Sequence, residues 1–96
     1  MEGAAVTTPR PSAAQLRLLR AVAALGDGTR LGLLSARCRV YGAAFEHLVR
    51  SAWHSRLVRM ATNERLEWAL WIEAAGRAAI TAAEDLNQTH EEMQHV

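Results

Sequence analysis

The most abundant chemistry in this 96-residue chain is carried by eleven basic side chains, every one of them an arginine. A guanidinium is a permanently charged planar fork of N–H donors, suited to phosphate or carboxylate oxygens. Arg30, Arg37, Arg39, Arg50, Arg56, Arg59 and Arg65 crowd the middle of the chain against only Glu46 and Glu64, whereas Glu84, Asp85, Glu91 and Glu92 make the tail acidic. The formal net charge is +1, so composition alone does not announce a polyanionic partner and the distribution says more. Cys38 is the single cysteine, which excludes an internal disulfide framework and a cysteine-based zinc site. Beside Arg37 and Arg39 it could serve as a redox-sensing thiolate, but a buried cysteine usually acts as a small hydrophobe, and packing is the expected role. His90, Glu91 and His95 are metal-ligand types, yet so near the end they read as a solvated tail. No Ser, His and Asp set forms a catalytic constellation. Neither an enzyme nor a cofactor is expected.

The elements that would position these residues follow from periodicity. Residues 1–11 hold small, polar and proline residues without a period and read as a flexible lead. Ser12 with Gln15 forms a capping box ahead of "LRLLRAVAAL", in which Leu16, Leu19, Val22 and Ala23 fall at helical spacing, Leu18 and Leu25 widen the stripe, and Arg17 and Arg20 lie outside it. Gly26, Asp27 and Gly28 end this helix. A shorter helix is expected from about Thr29 to Arg37, capped by Asp27 or Thr29, with Leu31 and Leu34 inward. A third begins near Tyr41, its buried stripe Ala44, Phe45, Leu48, Val49 and Ala52, its other side Tyr41, Gly42, Glu46, His47, Arg50 and His54.

The stretch "RLVRMATNERLEWALWIEAAGRAAI" then changes period. Leu57 to about Met60 reads as one strand, Ala61 to Glu64 as the turn, and Arg65 to Ile72 as a second strand with Leu66, Trp68, Leu70 and Ile72 on one face and Glu67, Ala69 and Trp71 on the other. A lone hairpin is marginal in water, so this one must lie on the helices before it. From Glu73 a helix resumes and can reach Gln94. The order predicts a mainly α domain with a small β-hairpin wing, a winged helix-turn-helix: residues 12–76 form the domain and 77–96 a C-terminal helix, a candidate dimerisation element. No apolar run approaches the roughly 18 residues that would span a membrane. The start, with Glu2 and two prolines, does not read as a signal peptide, and a cytoplasmic protein is expected. Arginine without lysine points to a GC-rich bacterial or phage genome.

Three segments also carry a family likeness. "PSAAQLRLLRAVAAL" resembles the opening of the winged-helix core in MarR-like transcription regulators, "LSARCRVYGAAFEHLVRSAWHSRLVRM" is similar without a gap to that family's helix-turn-helix, and "WIEAAGRAAI" resembles the segment leaving its wing. Together they cover about residues 11–80. The resemblance implies core roles for Leu34, Cys38, Val40, Phe45, Leu48, Val49 and Leu57. It puts Tyr41, Gly42, Ala43, Glu46, His47 and Arg50 on a recognition helix and makes Arg65 the basic residue of the wing. Family members carry a further helix before this core and a longer one after it, which build the dimer and often an effector pocket. Here the wing is shorter by about two residues, and Arg39 stands where a turn often holds glycine.

The implied partner is double-stranded DNA, bound by a homodimer. Arg50, Arg56, Arg59 and Arg65 would contact phosphates, Arg65 entering the minor groove, with Arg30, Arg37 and Arg39 as further backbone contacts. Tyr41, Glu46 and His47 would meet base edges, Glu46 accepting from a cytosine amino group. Against this stand a merely solvated basic face and a Glu46 that repels phosphate. The near-zero net charge and Glu46 suit an adaptor whose same face binds another transcription protein. Trp53 and Trp71, off the core stripes, either pack under the terminal helices or belong to a dimer or partner surface.

Overall fold

The computed structural model describes residues 10–94, so most of the expected N-terminal lead lies outside the described residues. The elements are α1 (Ala13–Leu25), β1 (Thr29–Arg30), α2 (Leu31–Cys38), α3 (Gly42–His54), β2 (Val58–Thr62), β3 (Trp68–Ile72) and α4 (Ala74–Gln94). This is the winged helix-turn-helix expected from the sequence, with one strand more. Among the described residues no helix is long and apolar enough to cross a membrane.

The α1 helix begins on the capping box. The Ser12 hydroxyl accepts the Gln15 N–H at 3.0 Å, and the Gln15 carboxamide oxygen accepts the Ser12 N–H at 2.9 Å. Two of the donors that a helix start leaves unpaired are thereby satisfied. Its buried face is Leu18, Leu19, Ala21 and Val22; Ala23, expected in the stripe, is exposed. Leu34 and Cys38 of α2 and Phe45, Leu48, Val49 and Ala52 of α3 complete the helical core, while Ala44 faces solvent. In α1 and α3 alike, one alanine that the periodicity counts inward stays outside the core.

The α2 and α3 helices stop by the same device. Beyond α2, Arg39 N–H reaches the Ala36 carbonyl and Val40 N–H reaches that of Ser35; beyond α3, Arg56 N–H reaches Trp53 and Leu57 N–H reaches Ala52. This is the Schellman pattern, and the residue it places in the left-handed region is usually glycine. Here it is Arg39 and then Arg56, each at φ 60°. An apolar residue, Val40 or Leu57, follows each arginine and turns back toward the core.

The sheet is antiparallel in the order β1-β3-β2. Thr29 and Arg30, expected as the start of a helix, instead pair with Leu70 and Ala69, so α2 begins two residues late, and with no side-chain cap. Asp27, expected as a cap, instead braces the sheet. Its carboxylate accepts the Ile72 N–H at 2.9 Å and faces Arg77 at 3.4 Å. The hairpin register pairs Val58 with Ile72, Met60 with Leu70 and Thr62 with Trp68. Leu70 and Ile72 are buried as expected, but two expected core residues are not. Trp68 shares their face yet is 58% exposed, and Leu66, in the turn instead of a strand, is 84% exposed. Alternation assigned Trp68 to the right face, but its partner Thr62 ends β2, where the exposed positions begin.

The first turn of α4 packs closely through Gly76. A Cβ on Gly76 would overlap the Leu57 carbonyl oxygen and crowd Ile72 and Leu19.

This packing sets two expectations for stability. Gly76→Ala forces backbone apart and is expected to cost about 3 kcal/mol, a large share of a small domain's stability; a urea midpoint equal to the parent's would refute the close approach. Trp68→Ala is expected to cost under about 1 kcal/mol, because most of its ring is in water, whereas Leu70→Ala should cost about 2–5 kcal/mol. Thermal melts of the two variants side by side read this difference directly.

Candidate nucleic-acid interface

With Phe45, Leu48, Val49 and Ala52 buried, the opposite side of α3 is committed to solvent. Ala43, Glu46, His47 and Arg50 fall three or four residues apart along the helix, so they form one stripe, and they line a single shallow depression. Tyr41 precedes it as the residue that caps the helix through its backbone geometry alone, and it is 63% exposed. Gly42 opens α3 at φ 61°, where a side chain would be strained. The structure thus gathers Tyr41, Gly42, Ala43, Glu46, His47 and Arg50 on or next to one face of one helix. Ion pairs among the described residues include Arg30 with Glu67 at 3.9 Å and Arg77 with Asp27 at 3.4 Å. Arg50 and Arg65 are in neither, and both are exposed.

Arg65 sits in the wing turn, which is built by Asn63. The Asn63 carboxamide oxygen accepts the N–H groups of Arg65 and Glu67 at 2.9 and 3.1 Å, and its amide donates to the Gly28 carbonyl at 3.0 Å and to Glu67 Oε1 at 3.3 Å. The backbone closes the turn with Asn63 N–H to Glu67 at 2.9 Å and Leu66 N–H to Asn63 at 2.9 Å. Asn63 therefore fixes the tip internally and ties it to the loop before β1. The sequence marked a turn at this asparagine but held no sign of its partner Gly28.

Arg59 is placed differently from the others. It lies on the sheet face turned away from the core, its guanidinium 4.6 Å from the Trp71 ring centroid, a cation–π contact. With Arg56 it lines a groove shared with Trp53, His54 and Glu73 at the C-terminal end of α3. The Ala43 to Arg50 stripe lines a different depression. Trp53 is 45% exposed and stacks on His54, and Trp71 is half-buried, lying over Gly28.

Cys38 is 2% exposed, and burial pushes its thiol up, only partly offset by the charges of Arg17 and Arg37. Its sulfur approaches the Arg17 carbonyl at 3.9 Å. A thiol held protonated in the core packs; it does not attack. The side chains of His90 and Glu91, and all of His95, lie outside the described residues.

No family model and no curated protein matches the sequence. Solved structures do match. MepR of Staphylococcus aureus, a transcription regulator of the multidrug efflux pump MepA, superposes with a TM-score of 0.78 at 14% identity, over 86% of this chain and 62% of that one. Its complex with DNA gives 0.72 at 14% identity, over 88% and 62%. A MarR-family transcriptional regulator of Silicibacter pomeroyi gives 0.68 at 23% identity, over 85% and 56%. The chain spans less than two thirds of the length of these proteins. What it shares with them at such identities is their architecture: it has the winged-helix fold of the MarR-type transcription regulators.

Proposed function

We propose that the chain is a DNA-binding transcription regulator that places α3 in the major groove of a duplex and the Arg65 wing on the minor groove or the backbone. The observation that carries this reading is the unpaired stripe of α3. Its Ala43, Glu46, His47 and Arg50 are exposed at helical spacing, on a fold whose structural neighbour MepR has been solved bound to DNA. The major groove is about 12 Å wide and admits one α-helix, with base edges read by side chains along its exposed face. Arg50 and Arg65, free of carboxylate partners among the described residues, supply phosphate contacts. Tyr41, Gly42 and Ala43 approach the bases closely, and Glu46 and His47 discriminate among them. Arg59 joins the phosphate contacts by leaving the Trp71 face.

The protein acts without a catalytic step, in a bacterial or phage cytoplasm, and binds as a homodimer. Residues 77–96 supply the dimer element. Ala79 packs partly on the chain's own core, Ala83 is half-buried and Leu86 is 54% exposed; their spacing of four and then three residues is that of a helix–helix seam, which His90 and Met93 would extend. Two observations favour a second reading. Glu46 stands in the centre of the α3 stripe and the net charge is only +1, which would suit an adaptor that binds another transcription protein.

Titration of duplex DNA at two salt concentrations separates the readings. Arg50→Ala and Arg65→Ala should weaken specific and nonspecific binding by similar factors and each lower the salt slope by about one unit, since each lost phosphate contact releases one counterion fewer. His47→Ala should instead change which sequence is preferred. Folded arginine variants that bind like the parent, or a parent without salt-dependent binding, would replace the DNA reading with the adaptor.

The dimer is tested separately by sedimentation. A species of twice the 10.5 kDa chain mass should populate with concentration and vanish when the chain is stopped at residue 77. A monomer persisting at high micromolar concentration would exclude it.

A further inference from the structure

The free end of the hairpin carries a leucine that the fold does not use. Leu66 is 84% exposed and holds φ 61°, a left-handed conformation in which a branched side chain crowds the following carbonyl. The turn is not loose enough to relax it, since Asn63 fixes the residues on both sides, Arg65 and Glu67, and its own carbonyl accepts the Leu66 N–H. A glycine would adopt this backbone without cost. Strain held at an exposed apolar residue, in a rigid turn, argues from the outlier toward a function.

We propose that Leu66 is an apolar wedge that enters the minor groove of duplex DNA beside Arg65, partly unstacks one base step and bends the duplex. The inference deepens the DNA reading above and rests on it. The occupant follows from charge and shape. Arg65 has no carboxylate partner among the described residues, so its charge is available to the phosphates that line the groove. Glu67, on the other side of Leu66, already faces Arg30 at 3.9 Å. Glu64 remains an exposed carboxylate in the turn and limits how much of the tip can enter, which leaves Arg65 and Leu66 as the inserting pair. A minor groove about 6 Å wide takes single side chains, not a helix, and the faces of an opened base step are apolar. Trp68, two residues on and 58% exposed, is a second exposed apolar side chain at this end of the hairpin. Because pyrimidine–purine steps unstack most readily, the bound site should carry one where the wing lands.

The test uses the full chain and a duplex selected by it from a random-sequence pool. 2-Aminopurine is placed at each adenine in turn, and a fluorescence-transfer pair at the duplex ends reads the bend. Leu66→Gly removes the wedge and also relieves the backbone, so this variant should melt no lower than the parent. It should bind the selected duplex about tenfold more weakly, and lose both the bend and the 2-aminopurine signal. Arg65→Ala should retain a residual bend at saturation while reducing the salt slope. If the parent binds without bending or unstacking the duplex, or Leu66→Gly bends it as the parent does, the wedge is wrong and the DNA reading stands. If no duplex is bound or selected at all, the DNA reading itself fails and the wedge falls with it.

Discussion

One backbone carbonyl, that of Leu57, fixes the relation between the exposed helix and the wing. It lies just beyond the α3 stop and just before β2, and it accepts the Glu73 N–H at 3.0 Å where β3 gives way to α4. Gly76 passes against the same oxygen, so close that no side chain fits between. Three elements thus meet at one peptide: the end of α3, the base of the hairpin and the start of α4. From the loop before β1, Asp27 holds the Ile72 N–H and faces Arg77 in α4. The hairpin is therefore gripped at its base from two directions. Its angle to α3 is a property of backbone contacts, not of the surface residues that would touch a partner. Those residues can vary without disturbing the frame that aims them.

How far the sequence disclosed this depends on the range of each interaction. The α1 capping box and the α3 stripe involve residues three or four apart, and both were legible as local pattern. So was the exposed side of α3, because the residues not buried on a helix are fixed once the buried ones are known. The β1 strand was not, since two residues have no period and only their pairing with Ala69 and Leu70 makes them a strand. Asp27 and Asn63 act across 45 and 35 residues of sequence, and nothing local to either shows the partner. Trp68 shows where a local pattern stops carrying information. Alternation assigned its face correctly, but a face is buried only where something lies on it, and at the Thr62–Trp68 end of the hairpin little does.

The two arginines that end α2 and α3 show a second kind of departure. A left-handed residue at a helix stop favours glycine by roughly 1 kcal/mol, and the position of Arg39 was recognisable as one where glycine is usual. That Arg56 repeats the device became visible only with the hydrogen bonds around it. The backbone positions cost stability, yet each keeps a guanidinium on an exposed turn at one end of α3. An uncharged turn would be easier to fold and would carry less of the basic middle of the chain.

The placement of charge bears on what kind of DNA recognition the proposed reading allows. With a net charge of +1 and an acidic tail, the chain has little long-range field; beyond the Debye length of about 8 Å in physiological salt, basic middle and acidic end largely cancel for an approaching polyanion. Attraction must then come from guanidinia already in contact. Glu46 sharpens this, since a carboxylate between Ala43 and Arg50 is penalised wherever a phosphate or a base-edge acceptor faces it and tolerated where a cytosine amino group does. Such a stripe lowers affinity for random duplex more than for a matching site. Weak nonspecific binding is what a small regulator needs among the very many competing sites of a genome, where the ratio of specific to nonspecific affinity decides occupancy. In that light Glu46 and the low net charge, which first favour the adaptor, are equally the features of a DNA reader built for discrimination.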